Sequence, residues 1–363
     1  MKKSRYTVKG DELFDQMLDK FLDRISKAVE DSEFSKEIAA VILGGGYGRG
    51  EGGVFICADG NKKLYNDLDL FIITRNLGCD KINNINKAMS ALGKQLTEEI
   101  GVDIDFGPAK NIRDLSKLPF TMMWQELREG HIVIYGNKDI LDSLPDYSLN
   151  ELPFTEGVRL LLNRGTGLLF AKKKLEAGLS DEDERDFIGR NLYKAALACG
   201  DVFLLANHKY SSSTKKRFEI IESFGKKKLD EDDINLYREA VEFKFSPEIL
   251  PMDKLNELYD KILVMFEKAC FSFFSLCYNL PLNTLWELKS ALSSDSFSKH
   301  SGIKEIIKNF VLNMVYMRKL DRRFSFSTVN PRLELFGILL GLLFEDSKGR
   351  GYNNFLRCWQ RFN

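Results

Sequence analysis

LGGGYGRGEGG at residues 43–53 and NDLDLFIIT at residues 66–74 decide how this chain is read. Seven of the ten positions from Gly44 are glycine, and they follow an apolar run, Ile38 to Leu43, with the length of a short buried strand. Glycines at that density let backbone N–H groups approach an anion closely, and a polyphosphate is the guest that fits. No Gly-Lys-Ser/Thr follows, and the spacing is not that of a G-x-G-x-x-G turn opening a long helix. In the second segment Asp67 and Asp69 occupy positions i and i+2 of a strand, which puts both carboxylates on one face. Adjacent carboxylates repel unless a cation lies between them. Hard oxygen ligands of this kind suit Mg²⁺ shared with substrate phosphates.

Further out, Val102-Asp103-Ile104-Asp105-Phe106 repeats the alternation about 35 residues after Asp67. Strands 64–74 and 102–106 paired in one sheet would gather three or four carboxylates, a density that metal-assisted phosphoryl or nucleotidyl transfer requires. Apolar residues from Leu13 to Val29 recur at helical spacing and predict a helix over about 11–30. A second helix is predicted from Ile82 to Ile100, a hairpin turn at Asp59-Gly60, and a strand at IVIYG, 132–136. Beyond about residue 150 the strand signals stop. Helical spacing runs through 156–177, 182–207, 232–245, 252–279, 302–325 and 331–345, with prolines at the breaks. The predicted fold is α+β, a small mixed-sheet head over 1–147 followed by a larger all-helical domain over 148–363.

Lys plus Arg and Asp plus Glu both number 53, so no whole-molecule charge announces a duplex-coating protein. The six cysteines form no CxxC pair and, with three scattered histidines, no zinc-like spacing. They read as reduced core residues of a cytoplasmic protein. The charged N-terminal residues contain no apolar signal-peptide core, and the apolar runs at 269–282 and 336–344 are too short to cross a bilayer.

Gly45-Gly46-Tyr47-Gly48-Arg49-Gly50-Glu51, the D-x-D strand and the later carboxylate strand together resemble the nucleotidyltransferase superfamily that includes DNA polymerase beta. The head motif is most similar to that of the bacterial PII-protein uridylyltransferases. The resemblance covers roughly residues 40 to 110, and ELREGHIVIYG adds a helix-then-strand ending common in the superfamily. It implies transfer of a nucleoside monophosphate from an NTP (ATP among the candidates) to an acceptor hydroxyl, with two Mg²⁺ held by Asp67, Asp69 and either Asp103 or Asp105. It also implies that Gly45, Gly46, Gly48, Arg49 and Gly50 contact the triphosphate, and that Lys194 or Tyr210 reaches in from the helical domain. Asp103 has the polymerase-like spacing to Pro108, whereas Asp105-Phe106-Gly107-Pro108 resembles the oligoadenylate synthetases.

Three features depart from that pattern. Gly46 replaces a serine, the linker from Glu51 to Asp67 is longer, and nothing matches the regulatory domains of the uridylyltransferases. The acceptor is therefore expected to be a small molecule or a protein, with balanced charge weighing against RNA and no membrane partner expected. An oligonucleotide or cyclic-nucleotide synthase and a non-catalytic nucleotide sensor are the rival readings. The late basic run Arg318 to Arg323 reads as a solvated helix end.

Overall fold

The computed structural model describes residues 4–178, 180–293, 303–317, 326–345 and 351–362. Along the first part of the chain come α1 (Glu12–Glu30), β1 (Ile38–Leu43), a one-turn helix α2 (Gly45–Gly48), β2 (Val54–Ile56), β3 (Lys62–Leu64) and β4 (Leu68–Thr74). Then follow α3 (Cys79–Ile100), β5 (Ile104–Phe106), β6 (Lys110–Asn111), α4 (Met122–Glu129) and β7 (Ile132–Gly136). The main sheet has the order β5-β4-β1-β7, with β6 also on β4. β1 runs antiparallel to β4 and β7, while β5 and β6 run parallel to β4, so the sheet is mixed. β2 and β3 form a separate antiparallel hairpin around the predicted Asp59-Gly60 turn.

Alternation along the two inner strands sorts their side chains into two cores. Val41, Leu43, Leu68, Leu70 and Ile72 pack with Leu18, Leu22 and Ile25 of α1 and with Ile85, Met89 and Leu96 of α3. Ala40, Ile42 and Ile73, with Phe71 beside them, pack with Trp124 and Leu127 of α4. Both faces of β1 and β4 are thus covered, which explains their nearly continuous apolar runs. The predicted strand 64–74 is two elements, because Asn66 and Asp67 interrupt it between β3 and β4.

The remaining helices are α5 (Phe154–Glu176), α6 (Glu182–Ala206), α7 (Thr214–Phe224), α8 (Glu231–Phe245), α9 (Met252–Tyr278), α10 (Leu285–Ser293), α11 (Ile303–Tyr316), α12 (Pro331–Phe344) and α13 (Tyr352–Phe362). The chain divides into two compact units, and the division is not the contiguous 1–147 and 148–363 expected from the proline cluster. Residues 211–220 and 241–248 belong with residues 1–152, so the boundary runs through α7 and α8. In the second unit α5 packs on α6, α6 on α9, and α12 on α5, α10 and α13. α12 is apolar almost all round and largely buried, as such a helix must be. Lys172 donates to the carbonyls of Leu342 and Leu343 and so satisfies the end of α12. Among the described residues no helix is long and apolar enough to cross a membrane. The run Arg318 to Arg323 lies outside the described residues.

Gly136 closes β7 with φ +84°, and a Cβ there would stand 2.0 Å from the carbonyl oxygen of Ala39. Gly60 has φ +81° with open space around it. Gly136→Ala should therefore lower stability by on the order of 1–3 kcal/mol, and by clearly more than Gly60→Ala, when the two melting temperatures are compared.

Candidate active site

The D-x-D strand reaches the glycine loop through its backbone. The Gly44 N–H donates to the carbonyl of Asp69 at 2.9 Å, which continues the β1–β4 pairing into the loop. Gly45 then takes φ +59°, and a Cβ on it would lie 2.0 Å from Asp69 Oδ2. The Asp69 carboxylate is thus seated directly against the Gly45 main chain, and only glycine permits that approach.

Asp69 is the register partner of Asp105 across the parallel β4–β5 pair. Neighbouring strands lie about 4.8 Å apart, so the two side chains leave the sheet side by side. Asp67 precedes β4 by one residue, two positions before Asp69, and is exposed. Asp103 is also exposed but lies before β5, where its carbonyl accepts the Leu68 N–H at 2.8 Å. Register therefore distinguishes the two alternatives: Asp105, and not Asp103, stands beside Asp69.

Tyr47 stitches the loop to the approach of β4. Its hydroxyl donates to the Gly53 carbonyl at 2.7 Å and accepts the Tyr65 N–H at 3.0 Å, while Asn66 Oδ1 accepts the Gly53 N–H at 3.2 Å. Burial, reinforced by the charge of Asp67, pushes the Tyr47 hydroxyl up to about 12, so it stays a neutral donor.

Arg49 does not turn towards the carboxylate strands. Its guanidinium pairs with Glu126 at 3.3 Å, and its aliphatic stem passes against Gly130. Arg217 approaches the same carboxylate at 3.6 Å and donates to the carbonyls of Ser211 and Ser212 at 2.7 and 3.2 Å. The Glu51 N–H donates to the Gly46 carbonyl at 2.8 Å. The Glu51 carboxylate accepts from Ser213 Oγ at 2.8 Å, from the Thr214 N–H at 2.9 Å and, at 3.4 Å, from the Lys215 N–H. It thereby satisfies the leading amides of α7, where a negative charge is also favoured by the helix dipole. Lys244 Nζ lies 3.8 Å from Glu51 and donates to the Thr214 hydroxyl.

Burial pushes the Glu51 carboxyl up, but Lys244 and the donors of Thr214 and Ser213 outweigh it and leave the group below the ordinary carboxylate value. Burial and the charges of Arg217 and Arg49 bring Lys244 down to about 8 against the opposing pull of Glu51 and Glu126. Lys244 therefore costs stability below about pH 8, a cost that lifts as pH rises towards its ordinary value of 10.5.

Gly46, Gly48 and Gly50 lie in and just after α2, within the loop. The other two predicted residues belong to the second unit, Lys194 exposed on α6 and Tyr210 buried beyond its end. Glu126, Arg217, Thr214 and Lys244 were not singled out from sequence. Their only local signal is an ordinary mixture of charges on helical stretches.

Glu51 carries a linkage prediction. Its stabilising contribution is complete above the ordinary glutamate value of 4.5 and is lost as pH falls through its lower folded value. Glu51→Gln should melt lower than wild type at pH 7, by about 3 kcal/mol if Lys244 is left uncompensated. That gap should narrow on acidification below pH 4.5, as thermal melts over a pH series would read out.

Searches of family models, curated proteins and solved structures find no match to this chain.

Proposed function

We propose that the first unit is a Mg²⁺-dependent nucleotidyltransferase that moves a nucleoside monophosphate from an NTP to an acceptor hydroxyl and releases pyrophosphate. The observation that carries this reading is the seating of Asp69 against Gly45 with Asp105 in register beside it. A side-chain-free backbone beside two carboxylates on neighbouring strands is what in-line transfer at a phosphorus needs.

The donor set fits the metal. Among the described residues no three His, Cys, Asp or Glu side chains are gathered closely enough to hold an ion by themselves. Mg²⁺ does not require such a cage, since it is commonly bound by one or two carboxylates, waters and substrate phosphates. Asp69 and Asp105 would hold it, with Asp67 on the same face. Bound there, Mg²⁺ supplies Lewis-acid polarisation of the phosphates and neutralises their charge.

The chain's own groups supply positioning and proton transfer. A helical turn leaves its leading amides without intrahelical acceptors, and α2 offers them from a backbone free of side chains at Gly45 and Gly46. Tyr47 and Asn66 hold that backbone to the start of β4. Asp105 would accept the proton of the acceptor hydroxyl as its oxygen attacks the α-phosphorus, and the bond to the bridging oxygen breaks to release pyrophosphate. Arg49 is assigned to the Glu126 pair and not to the phosphates. The acceptor class stays a small molecule or protein hydroxyl.

The test is incubation with each labelled NTP and Mg²⁺, alone and with a cell extract. A labelled acceptor is expected, lost when Mg²⁺ is chelated. Asp69→Asn and Asp105→Asn should lower the rate by about 10²–10⁴-fold, while Asp103→Asn should cost less than about tenfold. A product made only of nucleotides would redirect the reading to a synthase. No product under any condition would overturn it.

A further inference from the structure

The second unit encloses a half-open cavity of about 140 Å³ that plays no part in the proposed transfer. Engineered apolar cavities of nearly that volume hold a benzene ring. Phe203, Tyr237, Met265 and Phe273 form apolar walls, and each is almost fully buried. Into this lining the first turn of α8 brings the Asp233 carboxylate, whose residue is only 8% exposed.

A buried carboxylate among aromatic rings is costly unless a cation meets it. Of the two lysines in the lining, Lys228 donates to Asn207 at 3.0 Å, and the Lys268 ammonium stands 2.6 Å from Asp230 and 3.4 Å from Asp233. Lys268 and Asp230 are well exposed, with side chains 47% and 69% accessible. Their short bond therefore lies at the wet side of the cavity, and Asp233 has the longer contact at the dry side. Burial accordingly pushes the Asp233 carboxyl up despite Lys268. On the neighbouring wall Tyr237 donates its hydroxyl to the buried Asp201 carboxylate at 2.8 Å, leaving its ring as the surface beside the cavity. A carboxylate combined with aromatic faces is the chemistry that recognises ammonium groups.

We propose that this cavity is a binding site for a small organic ammonium ion, a primary amine carried on a body about the size of one aromatic ring. Its nitrogen sits on Asp233, its body lies among Phe203, Met265 and Phe273, and Lys268 keeps its bond to Asp230.

Calorimetry on the full chain with benzylamine, benzyl alcohol and benzoate tests this. Benzylamine should bind with one-to-one stoichiometry, about tenfold or more tighter than benzyl alcohol, and benzoate should not bind. Asp233→Asn should lose at least about tenfold for benzylamine while leaving benzyl alcohol nearly unchanged. Ala269→Leu, which narrows the same cavity from α9 without touching a charge, should weaken both. Equal affinity for amine and alcohol, or no binding of either, overturns the proposal. So does undiminished benzylamine binding to Asp233→Asn. If that variant does not fold by circular dichroism, undiminished binding to Ala269→Leu is decisive in the same sense.

Discussion

The contact between the Gly45 main chain and the Asp69 carboxylate is the constraint on which the head is organised. The Gly44–Asp69 backbone hydrogen bond extends the β1–β4 pairing one step beyond β1, so the loop begins in sheet geometry and not as a free turn. The left-handed φ of Gly45 then reverses the chain into α2 without moving off the strand end. Any side chain at Gly45 would meet Asp69 Oδ2 at 2.0 Å, so the loop and the carboxylate cannot be altered independently. Tyr47 extends this constraint, since its one hydroxyl answers both the Gly53 carbonyl and the Tyr65 amide. Removing that hydroxyl would orphan two backbone groups on opposite sides of the β2–β3 hairpin.

The far end of the loop is held by a different kind of force. Glu51 serves as the anionic cap of a helix that begins 163 residues later, and Lys244 approaches the same carboxylate from α8. This ties 211–220 and 241–248 to the first unit and explains why the unit is discontinuous in sequence. The associated charges include Arg49, Arg217 and Lys244 with Glu51 and Glu126. Burial of the set makes its interactions strong and the loss of any one partner expensive. Lys244 is held down first by that burial and then by the charges of Arg217 and Arg49.

Most of the head was open to sequence reasoning because its signals are local. α1 follows from apolar residues spaced along one face between Leu13 and Val29, and β1 from six successive apolar residues bounded by charge and glycine. The carboxylates were visible as alternation, but the choice between Asp103 and Asp105 was not, since both have the same parity. It depends on register, and register is set by Leu68 opposite Ile104. The pairing of Arg49 with Glu126 was hidden for a similar reason: Glu126 is 77 positions away on α4 and carries no motif. α7 escaped notice because its opening, Thr214-Lys215-Lys216-Arg217, lacks apolar periodicity and owes its cap to Glu51. Asp201 and Asp233 in the second unit had a readable signal. Asp201 interrupts an otherwise apolar stretch of α6, and a charge there must be answered by a partner such as Tyr237.

The two ends of the glycine loop therefore meet different electrostatic surroundings. At Gly45 the main chain faces Asp69, with Asp105 alongside in register and Asp67 just before the strand. At Gly46 the carbonyl accepts the Glu51 N–H, and the Glu51 carboxylate belongs to a buried network with Lys244. Exposed carboxylates are screened within about 8 Å at physiological salt, whereas a buried excess charge is screened far less. The buried charges around Glu51 therefore act on the loop with less screening than the carboxylates at its other end.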